Sequence, residues 1–335
     1  MLRALKALTL GVLALTSTAI QADTDHHIVT SIKPLGLLVR AIAPDSVNVT
    51  ALVPAGASPH TYQMRPSQRR ALEEADLVVW VGPDMETFLI RMLSGEDFEN
   101  RTLTLMAGSE PVEHGHDHAS HDDHDHHDDH APDHEPSHHE HGEDHAEHEN
   151  HGGHGGHDLH DHSHGEDPHI WLDPQLGLAM AEQLRDRLAT LPGIDRDQLD
   201  RNLARFRIAL TGAERRIQQQ LVPAREISLF TYHDAFRRFA EHYDLAIAGI
   251  LTLSPERSPG ARHIADVQER LRASTQPCLL TEPQFNQQWW RSITEGMDLR
   301  FSTWDPLASE IPDTADGYIQ FQQSMADAVL ACLPE

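Results

Sequence analysis

"PSQRRALEEADLVVWVG" (residues 66–82) places a predicted helix directly before a predicted strand. Its first ten residues carry a proline in the first turn and good helix formers after it, which favours a helix over 66–75. Its last seven residues are mostly apolar and too few for a buried helix, which favours a buried strand over 76–82. A helix joined to such a strand is typical of a repeating β-α fold.

The same alternation continues on both sides of this unit. In the first part of the chain we predict strands at 27–32, 47–53 and 101–106 and helices at 34–43 and 85–93. In the second half we predict strands at 226–233, 246–253, 277–283 and 299–305 and helices at 234–243, 260–274 and 313–332. Strands separated by helical patterns of about ten to fifteen residues indicate parallel sheets. The predicted fold class is therefore α/β, with two β-α lobes.

A single long helix is predicted between the two lobes, over residues 195–222. Its apolar residues are spaced three or four apart: Leu199, Leu203, Phe206, Leu210, Ala213, Ile217 and Leu221. This spacing forms one apolar stripe along a helix of roughly 40 Å, at 1.5 Å per residue. We therefore predict an N-terminal lobe over 23–194, this connecting helix, and a C-terminal lobe over 223–335. Because ligands of open parallel sheets bind beyond the carboxyl ends of the strands, the cleft between the lobes is the predicted binding site.

The N-terminus has the pattern of a secretory signal peptide over residues 1–22. Arg3 and Lys6 form a short positive region, residues 7–15 are mostly apolar, and Ala22 is a small residue at a suitable cleavage point. The apolar core is too short to span a bilayer, so we expect no stable membrane insertion and an exported mature protein. An ordinary amphipathic first helix is the alternative.

Cys278 and Cys332 are the only cysteines in the sequence. An even number of cysteines in an exported chain favours one disulfide, which would tie the strand at 277–283 to the last helix. Two free buried thiols are the alternative.

Residues 114–164 form a histidine- and acid-rich run that cannot build a hydrophobic core. The run holds 20 of the 27 histidines and 15 acidic residues, and it contains no lysine or arginine. This composition predicts disorder without metal. Spaced imidazoles chelate zinc, but ordering a flexible chain opposes each binding event, so we expect several weak sites. The auxiliary ligands expected in its densest stretch are His121, His124, His126, His127 and His130. A solvated acidic linker with incidental metal affinity is the alternative.

The formal net charge of −27 restricts the partners of the chain. It argues against nucleic acid, because phosphate binding needs a basic surface. It argues equally against anionic membrane surfaces, and it leaves metal ions and cationic partners open.

Three of the seven histidines outside the run stand at predicted junctions of strand and helix. His60 follows a strand in a loop rich in turn residues, His169 lies in "DPHIWLDP", and His233 ends the strand "SLFTYH". Loops at such junctions often carry functional residues. Three neutral imidazoles suit a divalent metal of borderline softness, zinc above all, although each histidine alone could be a hydrogen-bonded or surface residue. The other four are expected on helix surfaces or in a frayed terminus: His242 and His263, and His26 and His27.

A series of motifs resembles the ZnuA type, the zinc-specific branch of the periplasmic solute-binding proteins that serve ATP-driven importers. The motifs are "GASPHTYQMRPSQRRALEEADLVVWVGPDMETFL", a histidine-rich run, "DPHIWLDP", "TYHDAF", "TEPQF" and "TWDPL", in that order over nearly all of the mature chain. The resemblance implies that His60, His169 and His233 are metal ligands. Manganese- and iron-binding relatives generally carry a glutamate in place of His233, so the resemblance favours zinc. It also implies a disulfide between Cys278 and Cys332.

The fourth ligand stays open at this point. The resemblance makes Asp305, in "TWDPL", a fourth ligand, a group that supports another ligand, or a helix N-cap before Pro306. Some zinc-binding members carry a glutamate before the first histidine, but this sequence has Pro59 there. Water, Asp305 or a histidine of the run would then complete the site, and Glu282 is a weaker candidate.

The resemblance implies that the chain captures Zn²⁺ in the periplasm with high affinity and delivers it to an inner-membrane ABC permease. A monomer would bind the zinc as transported ligand, and the run would act as an auxiliary collector or sensor. One alternative is an exported zinc buffer or chaperone without a transporter.

A zinc hydrolase is another alternative, since three histidines and an open position also describe catalytic zinc. The chain has no HExxH motif and no acid next to His60, so we expect no enzyme. Asp173 and Asp234 lie close in sequence to the other two histidines and keep the alternative open.

Overall fold

The computed structural model describes residues 25–106, 166–252 and 259–334, apart from the side chains of Gln287 and Trp289. These residues belong to one compact unit. The predicted signal peptide and the histidines predicted as auxiliary ligands, His121, His124, His126, His127 and His130, lie outside the described residues.

The first lobe is built on a four-stranded parallel sheet. Its strands are β1 (His27–Thr30), β2 (Asn48–Ala51), β3 (Leu77–Trp80) and β4 (Thr102–Thr104), in the order β2-β1-β3-β4. Its helices are α1 (Lys33–Ile42), α2 (Pro66–Glu73), α3 (Thr87–Leu93) and α4 (Glu96–Glu99). The helix and strand predicted at 66–82 are confirmed as α2 and β3, and all four residues of β3 are buried.

The second lobe repeats this topology. Its strands are β5 (Ser228–His233), β6 (Ile247–Thr252), β7 (Pro277–Thr281) and β8 (Arg300–Thr303), all parallel, in the order β6-β5-β7-β8. Its helices are α7 (Arg237–His242), α8 (Ala261–Ala273), α9 (Gln287–Ile293) and α10 (Gly317–Leu330). The prediction of two β-α lobes with parallel sheets is confirmed.

Two helices run between the sheets, α5 (Pro174–Leu188) and α6 (Arg196–Gln220). The carboxylate of Asp195 caps the first turn of α6 by accepting the amide hydrogens of Asp197 and Gln198. The 25 residues of α6 span about 37 Å at 1.5 Å per residue. The predicted long helix is therefore present, with the apolar stripe buried along its length.

The long helix is packed against its neighbours rather than exposed between the lobes. It contacts α1 and α5, and also α10, which returns from the end of the second lobe. One hydrophobic core contains Leu37 of α1, Phe206 of α6 and Tyr318 of α10. Since this core draws on both lobes, it opposes large changes in their separation.

A disulfide joins Cys278 of β7 to Cys332 behind α10, with the two Cα atoms 5.8 Å apart. The predicted pairing is confirmed, and it fastens the returning helix to the second sheet. Among the described helices, none is long and apolar enough to cross a membrane.

Candidate metal centre

The three histidines at the predicted strand-helix junctions meet in space. The ring centroids of His169 lie 5.4 Å from those of His60 and His233, and the rings of His60 and His233 are 5.8 Å apart. One ring nitrogen from each lies within 4.8 Å of the others. The Nε2 atoms of His60 and His169 are 3.4 Å apart. Two ligands at 2.0–2.1 Å from a tetrahedral zinc lie about 3.3 Å apart, so this pair already has a suitable separation.

The topology explains why residues so distant in sequence converge. His233 is the last residue of β5, and His60 lies in the loop that follows β2. His169 precedes a single 3-10 turn at Ile170–Leu172, which leads into α5. His60 and His233 thus follow the carboxyl ends of strands in two different sheets, and one cavity between those ends is lined by all three histidines.

His169 is held by the carboxylate of Asp167. The Nδ1 atom of His169 lies 2.7 Å from Oδ1 of Asp167, and the backbone amide of His169 donates to the same oxygen at 3.0 Å. Because a carboxylate only accepts, Nδ1 carries the hydrogen. Nε2 is then the nitrogen with a lone pair, and it faces the other two histidines.

His233 is held in the same way by Glu282. Its Nδ1 atom lies 2.6 Å from Oε1 of Glu282, and the two residues are only 4% and 2% exposed. This pairing fixes the ring orientation and directs the Nε2 atom towards the cluster.

The surroundings keep His60 neutral. The pKa of His60 is lowered from 6.5 to about 3, chiefly by burial; the neighbouring His169 and His233 also lower it, and Asp167 raises it. A neutral imidazole is the form that binds a metal, so the site needs to displace no proton from His60 near neutral pH.

The histidines line a small cavity of about 20 Å³, with room for one ion or one water molecule. The rest of its wall is largely apolar and includes Pro59, Met85, Trp171, Phe285 and Leu307. An apolar wall strengthens the attraction between a cation and its ligands by excluding water.

Asp305 does not belong to the histidine cluster. Its Oδ1 accepts hydrogen bonds from the amide of Leu307 and the side chain of Gln284, and its Oδ2 accepts one from the amide of Ser309. Of the three roles left open by the sequence, the structure shows the cap of the turn after Pro306. Glu282, the weaker candidate for a ligand, instead contacts the far nitrogen of His233.

The remaining four histidines divide into two pairs. His242 and His263 lie in helices α7 and α8, as predicted, and both are partly exposed. The prediction of a frayed terminus at His26 and His27 is wrong. His26 is buried and donates from Nε2 to the carbonyl of Pro192, while His27 begins β1. His263 donates to the carbonyl of Ile250, and His242 lies 2.9 Å from Glu214. These partners come from distant parts of the chain, which helical periodicity cannot predict.

The role of Asp167 in orienting His169 was not predicted from the sequence. The signal was present in "DPH" (167–169), where an acid stands two residues before a candidate ligand. The two acids that kept the hydrolase alternative open are engaged elsewhere. Asp173 caps α5 through the amides of Gln175 and Leu176, and Asp234 pairs with Arg237.

The chain matches the family described as zinc-uptake complex component A, periplasmic (ZnuA), over residues 28–332. It is 34% identical over 324 residues to the high-affinity zinc uptake system protein ZnuA of Yersinia pestis, covering 91% of each chain. It is 38% identical over 325 residues to the protein of that name from Haemophilus influenzae, covering 96% of each chain.

The fold is similar to that of the periplasmic zinc-binding protein TroA from Treponema pallidum. The TM-score is 0.66 at 17% identity, over 93% of this chain and 100% of that one. The family match over most of the chain and the two relatives above 30% identity agree with the histidine cluster and the two parallel sheets. The chain therefore belongs to the ZnuA family, the periplasmic components A of zinc-uptake complexes.

Proposed function

We propose that His60, His169 and His233 bind one Zn²⁺ in the periplasm and that the chain delivers it to the permease of an ABC importer. The observation that carries this proposal is the convergence of three imidazoles, two of which are oriented by carboxylates on their far nitrogens. Imidazole nitrogens favour zinc over manganese or calcium, which prefer oxygen donors.

A delivery protein must release its cargo as well as bind it. Three neutral ligands leave the ion its full double charge, and the compensating carboxylates of Asp167 and Glu282 are one imidazole ring away from it. The fourth position is left to a water molecule or another exchangeable ligand.

The histidine-rich run at 114–164 is proposed to collect zinc for this site. The run ends two residues before Glu166, and His169 follows three residues later. Zinc held weakly in the run would therefore be covalently tethered to the segment that carries His169, which would raise its effective concentration at the site. We further propose that export by a cleaved signal peptide places the chain in the periplasm, where it acts as a monomer.

Calorimetric zinc titration tests the division between tight and weak sites. The full chain should bind one tight equivalent and several weak ones, and deletion of 115–163 should remove only the weak ones. Replacing all three cleft histidines with alanine should remove only the tight one. A deletion variant that binds no zinc would overturn the assignment of the cleft.

Stimulation of a reconstituted zinc-importing ATPase tests delivery, with gel filtration to report the oligomeric state. An importer is expected to respond to the zinc-loaded chain and not to the triple alanine variant. Tight zinc binding with no effect on any zinc importer would instead support an exported buffer.

A further inference from the structure

The segment that carries His169 is attached to elements that come later in the chain. The indole Nε1 of Trp171 donates to the carbonyl of Pro306 at 2.7 Å, and the hydroxyl of Tyr318 donates to the carbonyl of Trp171 at 2.8 Å. At the far end of the segment, Nδ1 of His242 lies 3.6 Å from Asp173. His169 therefore precedes the long helix in sequence, but second-lobe residues fix its position.

Arg238 of α7 holds the near end of the segment. Its Nε donates to the carbonyl of Asp167 at 2.9 Å, and its Nη2 donates to the same carbonyl. Nε also lies 3.6 Å from Oδ2 of Asp167, and Nη2 reaches Oε1 of Glu166 at 3.2 Å. The guanidinium thus contacts both the backbone carbonyl and the carboxylate of Asp167, the residue that orients His169.

The attachment differs from an ordinary surface ion pair. The side chain of Arg238 is only 15% exposed, against 49% for the adjacent Arg237, which pairs with Asp234 in the turn just before the helix. A planar fork on one carbonyl fixes direction as well as distance, which a lysine ammonium cannot do. Arg238 is therefore placed to set geometry across the cleft.

We propose that Arg238 is a positioning residue for the zinc site, acting through Asp167 on His169. One short stretch of chain then carries both the proposed ligand His233 and, five residues later, Arg238, which holds the segment of the second proposed ligand, His169. The separation of His169 and His233 is set by the start of α7, before any metal arrives. This inference rests on the proposed function, because it assumes that the two histidines bind zinc together.

The expected size of the effect follows from the position of Arg238 in the chain of contacts. Loss of a direct partner of a ligating histidine typically costs 10–100-fold in metal affinity. Arg238 acts one residue further out, so its loss should cost about tenfold, the lower end of that range. Its loss should also let the ring of His169 turn, which raises the population of the wrong tautomer.

The test compares Arg238→Gln and Arg238→Ala with Arg238→Lys and with the matched control Arg237→Ala, all in the full chain. Zinc affinity is measured by competition with a chromophoric chelator. The Co²⁺ absorption spectrum and the imidazole ¹⁵N signals of His169 report the geometry of the site. We expect about tenfold weaker zinc binding and altered spectra for the glutamine and alanine variants, partial recovery for lysine, and no change for the control.

Two results would overturn the inference. One is zinc affinity and Co²⁺ spectra in Arg238→Gln that match the wild type. The other is equal weakening in Arg238→Ala and Arg237→Ala, which would indicate a general effect of charge. If the alanine variant does not fold, the glutamine variant decides, since it keeps the stem and one donor. Failure of the wild type to bind zinc through His60, His169 and His233 would instead refute the proposed function.

Discussion

Replacement of Glu282 separates a residue that orients a ligand from a residue that is a ligand. The carboxylate lies 2.6 Å from Nδ1 of His233, on the side of the ring away from the other histidines. In Glu282→Ala this buried N–H loses its acceptor and the ring loses its orientation. In Glu282→Gln an amide oxygen of almost the same shape can still accept the hydrogen bond.

The magnitudes follow from these contacts. Loss of an orienting partner should weaken zinc binding by 10–100-fold, or about 1.4–2.7 kcal/mol. The unsatisfied donor should also lower the free energy of unfolding of the metal-free protein by about 1–3 kcal/mol. Glu282→Gln keeps the hydrogen bond but not the charge, so its zinc affinity should lie between those of the wild type and the alanine variant.

The assay is chelator competition at pH 7.5, with the Co²⁺ absorption spectrum as a report on the ligand set. Retention of a nitrogen-only protein ligand set in both variants is the expected result. Zinc affinity of Glu282→Ala equal to that of the wild type would refute the orienting role. A loss in Glu282→Gln as large as that caused by removing His233 would mean that Glu282 binds the metal itself.

Three further outcomes follow from the structure. Removing the disulfide with Cys278→Ala and Cys332→Ala should lower the free energy of unfolding by about 4 kcal/mol for a sequence separation of 54, while zinc affinity, measured alongside urea denaturation, should not change. An unchanged urea midpoint would contradict the first part. Burial raises the pKa of Glu86 from 4.5 to about 7, so its stabilising contribution is complete below about 4.5 and is lost as pH rises through 7. Relative to the wild type, Glu86→Gln should therefore gain about 3 kcal/mol of unfolding free energy between pH 4.5 and pH 8, and a constant difference across that range would refute this. Because the pKa of His60 is about 3, protons should not compete with zinc for His60 at pH 5.5. Protons should compete with zinc for histidines with ordinary pKa values near 6.5. Calorimetry at pH 5.5 should show the tight equivalent retained and the weak ones diminished, and loss of the tight equivalent first would contradict the assignment.

Several features of the fold could be predicted because they depend on neighbours in sequence. The apolar run of β3 and the apolar stripe of α6 each reflect one element and the face that it buries. The boundaries were less accurate. The helix predicted from 234 begins at Arg237, because Asp234 and the two residues after it form a turn behind His233. α4, with four residues, is too short to produce a clear period, and α9 was not predicted either.

The candidate site divides in the same way. The resemblance of the motifs pointed to His60, His169 and His233 as candidate ligands, and the folded chain brings these three side chains together. The roles of Glu282 and Asp305 could not be assigned, since either carboxylate could reach a metal as far as the sequence indicates. Only the folded chain places Glu282 on the far nitrogen of His233 and Asp305 on the amides of its own turn.

The sequence by itself determined the alternation of strands and helices, the long connecting helix and the residue types that suit zinc, because each of these is encoded over a few turns of chain. The tertiary structure decided which acids orient the histidines, and that Arg238 and the end of the chain hold the segment around His169. Apart from the contact of Asp167 with His169, which are two positions apart, those contacts join residues 49 to 147 positions apart, and their partners depend on how the two sheets and the returning helix pack together.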